Sequence, residues 1–115
     1  GECGACTIIM DGEAVTSCLI LSVEADGSEL ETIEGQSIGE DISEIQEAFI
    51  EENAIQCGFC TPGMVMSAKA LLDKNPNPTD EEIDIALSGN ICRCTGYYSI
   101  REAVKRAAEK RGGNK

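Results

Sequence analysis

The most informative segment of this chain is QCGFCTPG, at residues 56–63, in which two cysteines stand three positions apart. Gly58, between them, allows the sharp turn that lets both thiols face one metal centre. A second close pair of cysteines occurs in GNICRCTGY, at residues 89–97. Four thiolates satisfy either a tetrahedral zinc ion or an iron–sulfur cluster. The candidate ligands, called here the second cysteine group, are Cys57, Cys60, Cys92 and Cys94.

Both cysteine pairs lie between segments with a helical pattern. Apolar residues recur at helical spacing across residues 41–53 and predict the first helix. Thr61 is expected to cap a second helix, with Pro62 at its first helical position. That helix must end near Asn75, because two prolines follow closely. The first cysteine pair therefore occupies a loop between two predicted helices.

The second cysteine pair is framed in the same way. Thr79 begins a capping-box pattern, T-x-x-E, that starts a third helix, and this helix is expected to end at residues 88–90. The same kind of pattern at Ser99 predicts the start of a fourth helix, which ends at residues 112–113 before a short flexible tail. The layout predicts two helical hairpins that face each other across a shared metal centre.

Residues 1–38 have a different, strand-like pattern. An apolar run at residues 7–10 is followed by an Asp-Gly dipeptide at residues 11–12, which is typical of a tight hairpin turn. Residues 31–34 predict one more short strand. So few strands make a marginal sheet, and we expect that something upstream of the chain completes it. The prediction is an α+β chain in two parts, residues 1–38 and residues 39–112.

Three further cysteines form the first cysteine group: Cys3, Cys6 and Cys18. Their spacing is C-x2-C-x11-C, whereas plant-type 2Fe–2S ferredoxins use C-x4-C-x2-C and a later cysteine. On that comparison one ligand is absent and would lie just upstream of Gly1, so we expect that the ligand loop has been cut. With both groups present, iron–sulfur clusters are favoured over zinc.

The composition argues against several functions. The formal net charge of −12 disfavours nucleic-acid binding, because a phosphate-binding surface needs clustered lysines and arginines. No run approaches the roughly 18 apolar residues of a membrane span, and no signal peptide is visible. Disulfides are disfavoured because the chain has 7 cysteines, an odd number, and most of them occur in close pairs. We expect a cytoplasmic protein.

Three segments resemble one family of proteins. They are ECGACT at residues 2–7, QCGFCTPG at residues 56–63 and GNICRCTGY at residues 89–97. Together they are similar to the iron–sulfur subunit of the xanthine oxidase family of molybdenum hydroxylases, which includes xanthine, aldehyde, carbon monoxide and nicotinate dehydrogenases. The resemblance extends over essentially the whole chain, and the last two motifs are highly specific.

The resemblance implies two domains and two clusters. The first cysteine group and the absent cysteine would hold a distal 2Fe–2S cluster in a ferredoxin-like β-grasp domain. The second cysteine group would hold a proximal 2Fe–2S cluster in a four-helix domain. In this family a large subunit carries molybdenum bound to a pyranopterin. Electrons leave it one at a time, through the proximal and then the distal cluster, usually to FAD on a third subunit. The chain would be part of an oxidoreductase and would hold no substrate site of its own.

The resemblance also implies roles for residues beside the second cysteine group. Gln56 and Cys94 are expected to touch the edge of the pterin, Gln56 through its amide and Cys94 through its sulfur. The alternative for Gln56 is an amide that caps a helix end in the cluster loop. Phe59 and Tyr97 are expected to shield the cluster from water.

Two alternatives to an electron-transfer subunit stay open. The first is a zinc-stabilised interaction module, in which the same cysteine loops serve only the structure. The second is a free-standing ferredoxin that meets soluble partners. Reconstitution with iron and sulfide distinguishes an electron-transfer subunit from a zinc-stabilised module. Association with a co-expressed molybdenum subunit distinguishes it from a free-standing ferredoxin.

Overall fold

The computed structural model describes residues 1–112 and contains a three-stranded sheet and four α-helices. The predicted α+β fold class is confirmed. The predicted tail after residue 113 lies outside the described residues. Among those described, no helix is long and apolar enough to cross a membrane. The helices are α1 (Glu44–Glu51), α2 (Thr61–Lys74), α3 (Asp80–Leu87) and α4 (Tyr98–Lys110).

The predicted hairpin is present. Strands β1 (Thr7–Met10) and β2 (Glu13–Thr16) pair antiparallel. At the turn, Asp11 has φ 51° and Gly12 has φ 85°, the left-handed values that a tight two-residue turn needs. The hairpin therefore forms because its turn residues tolerate that backbone conformation.

The third strand is shorter than the sequence predicted. Strand β3 covers only Leu30–Glu31, which pairs with β1, so the predicted third strand is present but its predicted extension over residues 32–34 is wrong. Residues Ile33–Gln36 form a 3₁₀ helix instead. This turn carries the Ile33 side chain onto the small apolar cluster around Met66 of α2. Packing between the sheet and α2 thus replaces further pairing along an edge strand.

Helix α1 is shorter than the predicted range of 41–53, because a capping box that the sequence reading missed fixes its start. Ser43 Oγ accepts a hydrogen bond from the Gln46 N–H at 3.2 Å, and Gln46 Oε1 accepts one from the Ser43 N–H at 2.8 Å. Beyond its last residue, Asn53 takes a left-handed conformation with φ 55°. Both ends are therefore set by local hydrogen bonding and backbone conformation.

The predicted caps of the other helices have mixed outcomes. The capping box at Thr79 is confirmed, because its Oγ1 accepts a hydrogen bond from the backbone of Glu82 at 3.2 Å. The one predicted at Ser99 is wrong, because α4 begins at Tyr98 and Ser99 is already inside it; the residue before the helix is Tyr97, which has φ 70°. Thr61 is the first residue of α2 rather than its cap, and that helix has no side-chain cap.

The four helices enclose one apolar core. Its fully buried side chains include Ile45, Phe49, Met64, Val65, Ile83, Ile100 and Val104. Basic residues at the end of α4 pair with acidic residues on the neighbouring helices. Lys110 Nζ lies 2.6 Å from Glu47 Oε1 on α1. Arg111 Nη1 lies 2.8 Å from Asp73 Oδ1 on α2. Such exposed pairs each add little stability, but they join α4 to both helices.

The sheet packs on the side of α2. Ile9, Met66 and Ala70 form a second small core between them. Lys69 Nζ lies 2.9 Å from Glu31 Oε1 of β3. Helix α2 is therefore shared by the sheet and the helical core, and this arrangement brings the cysteine loops of the two parts together.

Candidate metal centre

The second cysteine group is formed by two loops that meet. One loop joins α1 to α2, and the other joins α3 to α4. The thiols of Cys60 and Cys92 lie close enough for each to affect the pKa of the other. The thiol of Cys57 likewise lies close enough to that of Cys94 to affect its pKa. Each pair therefore takes one sulfur from each loop.

The two inner thiols differ in their electrostatic surroundings. Burial raises the pKa of Cys60 to about 11, and its contact with Cys92 adds to this effect. Burial also opposes ionisation of Cys92, but hydrogen bonds from Thr95, together with smaller contributions from the Cys60 thiol and the Cys94 backbone, outweigh burial and hold the pKa of Cys92 below its ordinary value. Because metals bind the thiolate form, Cys92 is the better prepared of these two ligands.

The donor set suits a cluster of two irons. The chain contains no histidine, so thiolate sulfur is the soft donor that it offers. Within residues 1–112, no three His, Cys, Asp or Glu side chains converge tightly enough to hold a single metal ion. Four cysteines in two pairs match the donor set of a 2Fe–2S cluster, in which four cysteines supply two ligands to each iron.

The first cysteine group lies at the open end of the hairpin. Cys6 precedes β1 and Cys18 follows β2, so strand pairing brings them together. The Cys18 N–H donates to Cys6 Sγ at 3.3 Å, and this bond is the main reason that the pKa of Cys6 falls to about 7. Ser17 Oγ donates to the Cys6 carbonyl at 2.8 Å. Cys3 is exposed on the loop that leads into β1.

A backbone contact joins the two cysteine groups. The Ile91 N–H, in the loop of the second group, donates to the Cys3 carbonyl oxygen at 2.9 Å. Beside this bond, Gly4 lies against Gly63 in the first turn of α2. A Cβ on Gly63 would stand 2.1 Å from the Gly4 carbonyl oxygen. The two loops therefore approach through bare backbone, which only glycine permits.

Asn90 packs against this contact between Gly4 and Gly63, which we call the glycine junction, and is 6% exposed. Its Nδ2 donates to Ser67 Oγ at 2.7 Å, while its Oδ1 has no hydrogen-bond partner in the part of the chain that the structure describes. That oxygen faces Gly4 and Gly63, at 2.6 Å and 2.9 Å from where their Cβ atoms would stand. It thus lies against two Cα–H groups, which are weak donors. The sequence reading assigned residue 90 only to a helix end; its place just before the second cysteine pair was the available signal.

The remaining predicted site residues lie at the outer edge of the second group. Gln56 and Cys94 are both exposed. Phe59 is 87% exposed, so the expectation that it shields the centre is wrong for this chain on its own. Tyr97 binds the loop directly, because its hydroxyl accepts a hydrogen bond from the Cys92 N–H at 2.8 Å.

Known proteins share this chain's sequence over most of its length. The family model for the [2Fe-2S] binding domain matches residues 32–105. The chain is 56% identical to the nicotinate dehydrogenase small FeS subunit of Eubacterium barkeri, over 96% of the chain and 70% of that relative. It is 49% identical to the xanthine dehydrogenase iron-sulfur-binding subunit of Escherichia coli O157:H7, over 90% of the chain and 67% of that relative. The chain belongs to the iron–sulfur subunits of the molybdenum hydroxylase family.

Solved structures show the same fold as this iron–sulfur subunit. Quinoline 2-oxidoreductase from Pseudomonas putida 86 matches with a TM-score of 0.91 at 46% identity, over 97% of the subunit and 72% of that chain. Aldehyde oxidoreductase from Desulfovibrio gigas matches with a TM-score of 0.94 at 42% identity, over 100% of the subunit and 13% of that chain. In the second case the same fold therefore forms a small part of a much longer chain.

The glycine junction predicts a contrast between two alanine variants of the iron–sulfur subunit. Gly63→Ala places a Cβ against the Gly4 carbonyl, so we expect the free energy of unfolding in urea to fall by about 1–3 kcal/mol. Gly89→Ala is the control, because a Cβ there meets nothing within 4 Å. Amide exchange at Ile91, which is bonded to Cys3, should quicken in Gly63→Ala and not in the control. Equal exchange rates in the two variants would contradict the claim that the contact between Gly4 and Gly63 holds the two loops together.

Proposed function

We propose that this iron–sulfur subunit carries electrons one at a time from a molybdopterin centre on a large partner subunit, through two 2Fe–2S clusters, to FAD on a medium partner subunit. The observation that carries this proposal is the contact between the loops of the two cysteine groups, in which the Ile91 N–H donates to the Cys3 carbonyl at 2.9 Å. Two ligand loops joined by a backbone hydrogen bond suit a chain that passes electrons from one group to the other. Relatives named as dehydrogenase subunits support the oxidoreductase role.

The second cysteine group is the proposed site of the cluster nearer the molybdenum. Its support is the pairing of thiols across two loops and the helical core that holds those loops. When bound, the cluster supplies a one-electron carrier. Residues 39–112 are the proposed cluster-binding helical domain. The proposed ligands are Cys57, Cys60, Cys92 and Cys94.

The first cysteine group is the proposed site of the more distant cluster. Cys3, Cys6 and Cys18 would supply three ligands, and a cysteine upstream of Gly1 would supply the fourth. The plant-type spacing supports this, as does the hydrogen bond from the Cys18 N–H to Cys6 Sγ at 3.3 Å. Residues 1–38 are the corresponding part of the proposed sheet domain.

The exposed edge of the second group is proposed to face the pterin and the large subunit. Phe59 is held beside a ligand by a hydrogen bond from its N–H to Cys57 Sγ at 3.5 Å. An exposed aromatic side chain at this place suits a protein interface, where aromatic residues are enriched. The Gln56 amide would pair with the pterin ring, because it offers both a donor and an acceptor. The Cys94 sulfur would accept from the pterin amino group while it binds iron.

The two alternatives have less support. The matching family model is a [2Fe-2S] binding domain, which does not favour a zinc-stabilised module. Relatives named as small subunits favour a partner-bound chain over a free-standing ferredoxin. None of the 7 cysteines is in a disulfide bond, which suits the proposed location in the cytoplasm, a reducing compartment.

Reconstitution tests the proposed cluster at the second group. After anaerobic addition of iron and sulfide, we expect Cys60→Ser to lose most of that cluster's visible absorption and its electron paramagnetic resonance signal on reduction. The reason is that serine oxygen is a harder, poorer ligand for an iron–sulfur cluster than thiolate. Cys18→Ser is the control and should retain both signals from the second group. A colourless chain that binds only zinc would contradict the proposal.

A second measurement tests the proposed interface. We expect Phe59→Glu to weaken binding to the co-expressed molybdenum subunit by about ten-fold or more, because a charge replaces an aromatic side chain that the proposed interface would bury. Ile38→Glu is the matched control, because Ile38 is 81% exposed but lies outside both loops of the second group. Titration of each variant against the tagged large subunit measures the affinity. If the two variants bound equally well, the proposed face would be wrong.

A further inference from the structure

One side chain in the loop between α3 and α4 donates a hydrogen bond to the sulfur of a proposed cluster ligand. Thr95 Oγ1 lies 3.0 Å from Cys92 Sγ, and the Thr95 N–H donates to the same sulfur at 3.3 Å. Both bonds come from a residue that is not itself a ligand. Thr95 therefore acts on the metal centre through Cys92.

The direction of the hydroxyl bond follows from a third contact. The Tyr97 N–H donates to Thr95 Oγ1 at 3.2 Å, so the hydroxyl oxygen already accepts a hydrogen bond there. Its own proton is then free to point at the sulfur of Cys92. The loop is closed by the Tyr97 hydroxyl, which accepts from the Cys92 N–H at 2.8 Å. The left-handed backbone of Tyr97, with φ 70°, makes this fold-back possible.

Cys92 is the ligand for which such a bond matters most. It is 7% exposed, and it is the one buried thiol of the 7, all of which the structure describes. Water is therefore largely excluded from its sulfur, and protein donors must replace it. In a poorly solvated place a hydrogen bond to a charged group is stronger than in water.

We infer that the Thr95 hydroxyl raises the reduction potential of the cluster held by the second cysteine group. The inference rests on the proposed function, because it requires a cluster at these four cysteines. Reduction adds one electron, and hence one negative charge, with no bond broken and no proton taken up. A hydrogen bond to a ligand sulfur stabilises the more negative state, so it favours reduction. Thr95 is thus a positioning and tuning residue that touches the centre only through Cys92.

A redox titration of the anaerobically reconstituted chain tests this inference. Dithionite is the reductant, mediator dyes equilibrate the cluster with the solution, and electron paramagnetic resonance measures the reduced fraction. Thr95→Val removes the hydroxyl at nearly constant shape. We expect the ratio of reduced to oxidised cluster at a fixed ambient potential to fall by roughly ten-fold, the order expected for one hydrogen bond to a charged group. Thr95→Ser keeps the hydroxyl and should restore the natural ratio.

The matched control is Thr61→Val. Thr61 follows Cys60 directly, but within the described chain its buried Oγ1 has no hydrogen-bond partner, so its loss should leave the ratio unchanged. An intact cluster with an unshifted ratio in Thr95→Val would overturn the inference. If Thr95→Val and Thr95→Ala both failed to assemble the cluster while Thr95→Ser assembled it, the hydroxyl would be needed for cluster assembly. That result would also overturn the inference. Absence of any cluster in the natural chain would instead defeat the proposed function.

Discussion

The close approach of Gly4 to Gly63 is the constraint on which the rest of this arrangement depends. The Gly4 carbonyl oxygen occupies the space in which a side chain at residue 63 would begin, 2.1 Å from the position of its Cβ. Asn90 closes the contact from the third side and is 6% exposed. The loop before β1, the first turn of α2 and the loop before α4 therefore meet at one place. Each of these segments carries or adjoins cysteines, so one contact fixes how far apart the two cysteine groups lie.

The negative charge of the cysteine thiolates is stabilised by nearby hydrogen-bond donors rather than by the overall charge of the chain. Its formal net charge is −12, so its overall field opposes the addition of further negative charge. Backbone and side-chain donors instead reach individual sulfurs. The Cys18 N–H reaches Cys6 at 3.3 Å, and the Thr95 N–H and hydroxyl reach Cys92. Such oriented N–H groups are common at anion and iron–sulfur sites. The same loops that supply the ligands therefore also supply the dipoles that stabilise them.

Local signals in the sequence predicted much of this structure, and tertiary contacts explain most of what they missed. The Asp-Gly turn at residues 11–12 and the cap at Thr79 depend on neighbouring residues alone, so their patterns were sufficient. The cap expected at Ser99 was wrong because Tyr97 folds back onto the second cysteine loop, which moves the start of α4. The chain leaves the sheet after Glu31 because Ile33 packs against α2. Cysteine spacing located the candidate site. The place of Asn90 just before the second cysteine pair was a weak signal, because its contacts are with Ser67, Gly4 and Gly63, which lie far away in the sequence.

Iron K-edge X-ray absorption on the anaerobically reconstituted Cys18→Ser variant, in which the first cysteine group is disabled, tests most directly whether the second cysteine group holds a 2Fe–2S cluster. The two thiol pairs of that group predict that each iron has only sulfur in its first coordination shell and one close iron neighbour. Iron that lacks an iron neighbour, or that carries mainly oxygen or nitrogen ligands, would contradict the assignment.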